Sequence, residues 1–182
     1  MRFLIPLLAV LISGCLTCKQ KEPFLRAHLT FIEKTYNWVQ ADVEAAKYRG
    51  EEDAARAYLK SLREVVTIPE VEVKLKADGF HWKREKLDFT SYPWVTIARR
   101  RGDCDDFMAL WEAVVKYRGK TKRVFVSSVS GSAHAMLLFY PKGTTFVYLF
   151  SNTGILGMGG VGSEEQLVRL FYKEKTSCFI LY

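Results

Sequence analysis

The chain is short of the residues that most often carry chemistry. Its 182 residues include three histidines, His28, His81 and His134, four cysteines and five prolines, and no aspartate follows Asp106. Apart from Cys15-x-x-Cys18 near the start there is no CxxC pair, and no histidines stand at the matching spacing, which argues against a structural zinc site. No metal and no cofactor is expected. No apolar run reaches the length needed to cross a bilayer, and there is no internal repeat or low-complexity tract. The formal charge of +7 is spread along the chain with one cluster at Arg99, Arg100 and Arg101. No nucleic-acid motif accompanies it, so no nucleic-acid partner is expected. With 49% apolar and 26% charged residues the composition is that of a globular protein, and the length suits one domain rather than two.

The first residues carry an address. Met1-Arg2 is a short positive start, FLIPLLAVLI over 3–12 is an apolar stretch of export-signal length, and Ile12-Ser13-Gly14-Cys15 resembles the lipobox of bacterial lipoproteins. That resemblance implies a signal peptide over 1–14 and lipid on Cys15, each buried methylene adding roughly 0.8 kcal/mol of membrane retention. A tether over 15–24 then leads to a single domain over 25–182, with a helical extension over 25–68. The protein is expected in the cell envelope, lipid-anchored to a bacterial membrane outside the cytoplasm. There Cys18 and Cys178 can be bridged or free.

Apolar residues at Leu25, Leu29, Ile32, Tyr36 and Val39 predict an amphipathic helix from 25 to about 48, and Gly50 breaks it. A second helix is expected over 51–66, ended by Pro69, then a strand fragment and loops over 70–92. Phe107, Leu110, Trp111, Val114 and Val115 predict a helix over 104–118. RVFVSSV from 123, HAMLLFY from 134 and TFVYLFS from 145 are strands, the last two joined as a hairpin through Lys142-Gly143. A glycine-rich flexible loop over 154–162, a helix over 163–172 capped by Ser163, and a final strand SCFILY complete an α+β reading.

The segment RRRGDCDDF raises a specific question. Gly102 turns the chain and Asp103 is a good N-cap, so Cys104 falls in the first turn of a helix, where the dipole favours a thiolate. Three aspartates around it oppose that, although Asp105 and Asp106 also suit a helix start. A cationic offset is needed, and an imidazolium is the expected supplier. His134 opens a strand expected to pack on this helix, whereas His28 and His81 lie in a helix and a loop with structural or solvated roles. With Lys142-Gly143 central in the hairpin, His134 lies opposite Ser151, with Asn152 next along. Asn152 has an amide oxygen able to fix the imidazole tautomer and is the preferred orienter; a one-residue change of register exchanges it with Ser151. The three aspartates do not match an EF-hand loop.

These residues, RGDCDDFMALWEAVVKYRG, then SAHAMLLF, then YLFSNTG, resemble the transglutaminase-like cysteine enzyme superfamily over roughly 90–155. The resemblance implies a papain/transglutaminase-like core with Cys104 as nucleophile, His134 as base and Asn152 as orienter. It departs at the third position, where members usually carry Asp; bacterial relatives often show Asp-Asn where this chain has Ser151-Asn152. It also implies that an upstream aromatic or amide side chain, with Tyr92 or Trp94 as occupants, helps hold the oxyanion. The expected activity is that of a cysteine peptidase or amidase, or of an acyltransferase, on a protein or cell-wall peptide. The alternative is a non-catalytic envelope lipoprotein using the same fold as a binding module.

Overall fold

The computed structural model describes residues 37–84, 89–128, 133–160, 164–171 and 176–181. The leader, Cys15, Cys18, the tether, His28 and the Ser163 cap therefore lie outside the described residues. Among those described, no helix is long and apolar enough to cross a membrane.

Helices come first. Helix α1 (Asn37–Lys47) is followed by a short 3-10 turn (Arg49–Glu51), α2 (Glu52–Glu64) and α3 (Ile68–Ala77). Helix α3 replaces the loops expected after Pro69. Thr67 caps it in a box with Glu70, and Pro69 sits in the first turn, where its missing N–H is not needed. Proline thus starts a helix here rather than ending one. A short strand β1 (His81–Trp82), helix α4 (Pro93–Arg99) and strand β2 (Arg101–Gly102) lead into α5 (Cys104–Val115). Strands β1 and β2 pair in parallel, His81 against Arg101, and Arg100 between α4 and β2 has φ 53.

The second half is a five-stranded sheet in the order β6-β5-β4-β3-β7, from β3 (Gly119–Ser128), β4 (Ala133–Pro141), β5 (Val147–Ser151), β6 (Gly154–Gly159) and β7 (Thr176–Leu181). Helix α6 (Glu164–Phe171) precedes β7. Every pairing in the sheet is antiparallel. Residues 154–159 of the glycine-rich stretch expected as a flexible loop are instead strand β6, for which β5 supplies the ladder.

Strand alternation divides the sheet into two faces. Ala135, Leu137, Phe139 and Phe150 join Phe107, Leu110 and Trp111 of α5 in the main core. Trp111 stacks on Phe150 with centroids 4.4 Å apart. Val124, Val126, Met136, Leu138, Val147 and Leu149 cluster on the other face with Val168 of α6. The architecture is α+β, with the cysteine-bearing helix packed on an antiparallel sheet and helices before it. At the end of α5, Arg118 reaches back to the carbonyls of Arg63, Val65 and Val66, satisfying the C-terminus of α2.

Candidate active site

Cys104 is the first residue of α5 and is partly buried. Asp103 and Asp106 form a capping box there, and the first helical bond runs from the Phe107 N–H to the Asp103 carbonyl at 3.1 Å. The sulfur lies near the Ala135 N–H of β4, which favours its charged form. The expectation that the dipole depresses the thiol pKa does not hold. Burial pushes Cys104 up to about 12, with the charges of Asp105 and Asp103 adding to it, and hydrogen bonds from the Ala135 and Cys104 amides offset only part. The resting sulfur is a thiol.

His134 stands one residue before Ala135, opposite Val126 on β3. Alternation gives the helix side of the sheet to Ala135 and the side of Met136 and Leu138 to His134. Sulfur and imidazole therefore reach β4 at consecutive residues, one from each side, at the end of the strand. Ladder pairing of β4 with β5 begins at Leu137, opposite Phe150. Burial lowers the pKa of His134 from its ordinary 6.5, which keeps the ring neutral.

The imidazole Nε2 lies 2.5 Å from Ser151 Oγ. Ser151, not Asn152, is thus the residue that meets the ring. The hairpin register differs by two residues from the one expected: Leu137 faces Phe150, where a turn centred on Lys142-Gly143 would have put Tyr148. The loop over 142–146 is longer than a tight turn. A shift of two preserves the face of every side chain, so Ser151 still shares His134's side and meets it diagonally. Asn152 leaves the strand with φ 49, gives its backbone carbonyl to Trp111 Nε1 at 2.9 Å, and keeps its side-chain oxygen buried without a hydrogen bond.

The Asp105 and Asp106 carboxylates are engaged by neighbours. Asp105 accepts from the Thr90 hydroxyl at 2.6 Å. Asp106, fully buried, accepts from the Ser91 N–H at 2.6 Å, from Arg99 at 2.8 Å and from the Asp103 N–H at 3.3 Å. Asp103, Asp105 and Asp106 each bring one carboxylate oxygen within 4.8 Å of the others, so this turn is the group among the described residues with the donor set for a cation. Sequence reasoning missed Arg99, whose side chain is only 3% exposed. The signal available was its position: an arginine five residues before the cysteine, ahead of three acids entering a buried helix. Arg100 and Arg101 are exposed, Arg100 donating to the Asp78 carbonyl.

Tyr92, one of the two occupants weighed for the oxyanion, donates to Asp42 at 2.9 Å. Trp94 is buried with the Arg56 guanidinium 5.8 Å from its ring centre. His81 is exposed on β1, with Nδ1 3.1 Å from the Gly79 carbonyl oxygen.

No protein-family model matches the chain, and no curated protein matches it. Among solved structures it is similar to LapG of Legionella pneumophila, at 17% identity over 72% of this chain and 77% of that one, with a TM-score of 0.46. The calcium-bound form of LapG gives 16% identity over 69% and 83% with a TM-score of 0.42, and the EGTA-treated form 17% over 72% and 75% with 0.46.

Proposed function

We propose that the chain is an exported, lipid-tethered cysteine enzyme of transglutaminase-like type, cleaving or transferring acyl groups at amide bonds of a protein or cell-wall peptide. One observation supports this above the others. The Cys104 sulfur, at the mouth of a buried helix, lies near the amide of Ala135, the residue next to a histidine whose Nε2 is held by a hydroxyl.

The chemistry follows from two neutral partners. The imidazole takes the thiol proton as sulfur attacks the amide carbonyl. A C–S bond forms and the carbonyl π pair moves to oxygen, where N–H groups at the start of α5 hold it. The C–N bond then breaks and the imidazolium gives its proton to the leaving amine, leaving a thioester. Water, deprotonated by His134, releases a carboxylic acid and restores the thiol; an amine in its place gives a new amide. Ser151 orients the ring without lending it negative charge. The pair therefore stays neutral at rest, and the proton moves during attack.

A second reading, the binding module, draws on the raised thiol pKa and on the approach of ring and sulfur from opposite sides of the strand. p-Nitrophenyl acetate followed by mass analysis separates the two. The enzyme forms an acetyl adduct on Cys104, absent in Cys104→Ser and slowed about a hundredfold or more in His134→Ala. The module gives equal adduct with and without His134. Mass analysis of the mature N-terminus tests the tether: a diacylglyceryl group on Cys15, lost in Cys15→Ser, is expected, and an unmodified N-terminus elsewhere removes it.

A further inference from the structure

Three carboxylates crowded at the start of one buried helix need a positive partner. We infer that Arg99 is that partner, a built-in counter-ion that fixes the first turn of α5 and places Cys104 without a metal ion.

The guanidinium is as buried as the carboxylate it meets: the Arg99 side chain is 3% exposed and Asp106 0%, 2.8 Å apart. The same guanidinium donates to Ser91 Oγ at 3.1 Å and to Glu44 of α1 at 3.4 Å. Asp106 in turn receives the N–H groups of Ser91 and Asp103. Four pieces of chain thus converge on one ion pair: α1, the end of α4, the segment before α4, and the cap of α5. The packing between Gly102 and Asp106 is close. A Cβ on Gly102 would stand 2.6 Å from Asp106 Cβ and 2.7 Å from its Oδ2, so glycine is what lets the carboxylate fold back under the cap.

A divalent ion would have to displace this arrangement. Calcium takes about six to eight oxygens, whereas both oxygens of Asp106 and one of Asp105 are already engaged by N–H and O–H donors. The guanidinium would also repel a second cation at that distance. The role of Arg99 rests on the proposed function only in taking Cys104 as the reacting group.

The test compares the whole protein with variants in calcium and in EGTA, reading the melting midpoint, hydrogen exchange of the α5 amides and alkylation of Cys104 by iodoacetamide. The unaltered protein is expected to give the same midpoint and the same alkylation rate in both media. Arg99→Met should lower the midpoint by roughly 10 °C, since it leaves Asp106 buried and unpaired. Arg99→Met/Asp106→Leu replaces the pair by apolar groups and keeps the fold testable if the single variant does not fold. There, exchange at 104–107 should rise about tenfold while 110–114 is unchanged, and alkylation should speed up about fivefold as the sulfur is uncovered. Arg99→Lys should stay within about threefold of the parent on both counts. A midpoint of the parent that rises with calcium and falls with EGTA overturns the inference, as does the double variant with parental exchange and alkylation. His134→Ala, measured alongside, bears on the acyl-transfer chemistry alone: alkylation unaffected by it would remove that reading and leave the counter-ion result standing.

Discussion

Cys104 is approached from two sides that are built differently. On the helix side, charge meets charge in a dry space: Arg99, Asp106, Ser91 and the Asp103 amide form a closed set around the first turn. On the strand side the contacts are neutral, an amide near the sulfur and a hydroxyl on the imidazole, at the start of β4. A buried ion pair tolerates little displacement, because separating its members strands a charge in low dielectric. A neutral hydrogen bond is worth about 1 kcal/mol net and is readily exchanged. The cysteine is fixed by the strong set and the imidazole is left on the weak one, which suits the proposed chemistry, in which the ring moves with a proton.

The contrast can be broken from its strong side first. Asp106→Ala leaves the buried Arg99 with only the more distant Glu44 as a charged partner and should cost about 3 kcal/mol of unfolding free energy, read by chemical denaturation. Next in size, His134→Ala should slow acetylation of Cys104 by about a hundredfold, a loss near 2.7 kcal/mol of transition-state stabilisation, while moving stability far less. Ser151→Ala removes the neutral hold and should reduce acetylation by about tenfold or less; Ser151→Asp would restore a charged orienter and move the pH-rate profile toward higher pH by stabilising imidazolium.

The smallest effects are two slopes of stability against pH. Burial lowers the His134 pKa, so below its ordinary 6.5 the unfolded chain binds more protons than the folded one and stability falls as pH drops; His134→Gln should flatten that slope. Cys104 works at the other end. Its folded thiol keeps its proton up to about 12 while the unfolded thiol loses it near 9, so stability falls as pH rises above 9, and Cys104→Ala should remove this. Equal slopes in parent and variant at either end would show that the group is not buried in solution.

What could be read beforehand depended on whether one element settled the matter. The spacing of Phe107, Leu110, Trp111 and Val114 placed α5 within three residues at its end, because a buried stripe on one helix is a local signal. Proline and glycine misled wherever context decides their meaning: Pro69 opens α3, and the glycines of 154–159 lie in an edge strand whose partner is β5. The hairpin between β4 and β5 was legible, but its loop length was not, so Ser151 took the place reserved for Asn152 at the ring. The sign of the Cys104 shift failed for a related reason. A helix dipole is visible in sequence, whereas the desolvation that outweighs it depends on β4 lying across the sulfur. Arg99 was hidden inside a cluster that looked like solvated surface, because three adjacent arginines on a turn point three ways.

Arg118 joins the halves of the molecule at one point. Its guanidinium leaves the junction of α5 and β3 and meets the carbonyls of Arg63 at the end of α2 and of Val65 and Val66 just past it, so a single side chain is shared by the helical front and the sheet behind it. A protein stapled in this manner should melt in one transition, and Arg118→Ala is where a separate, earlier loosening of residues 37–77 would first show itself.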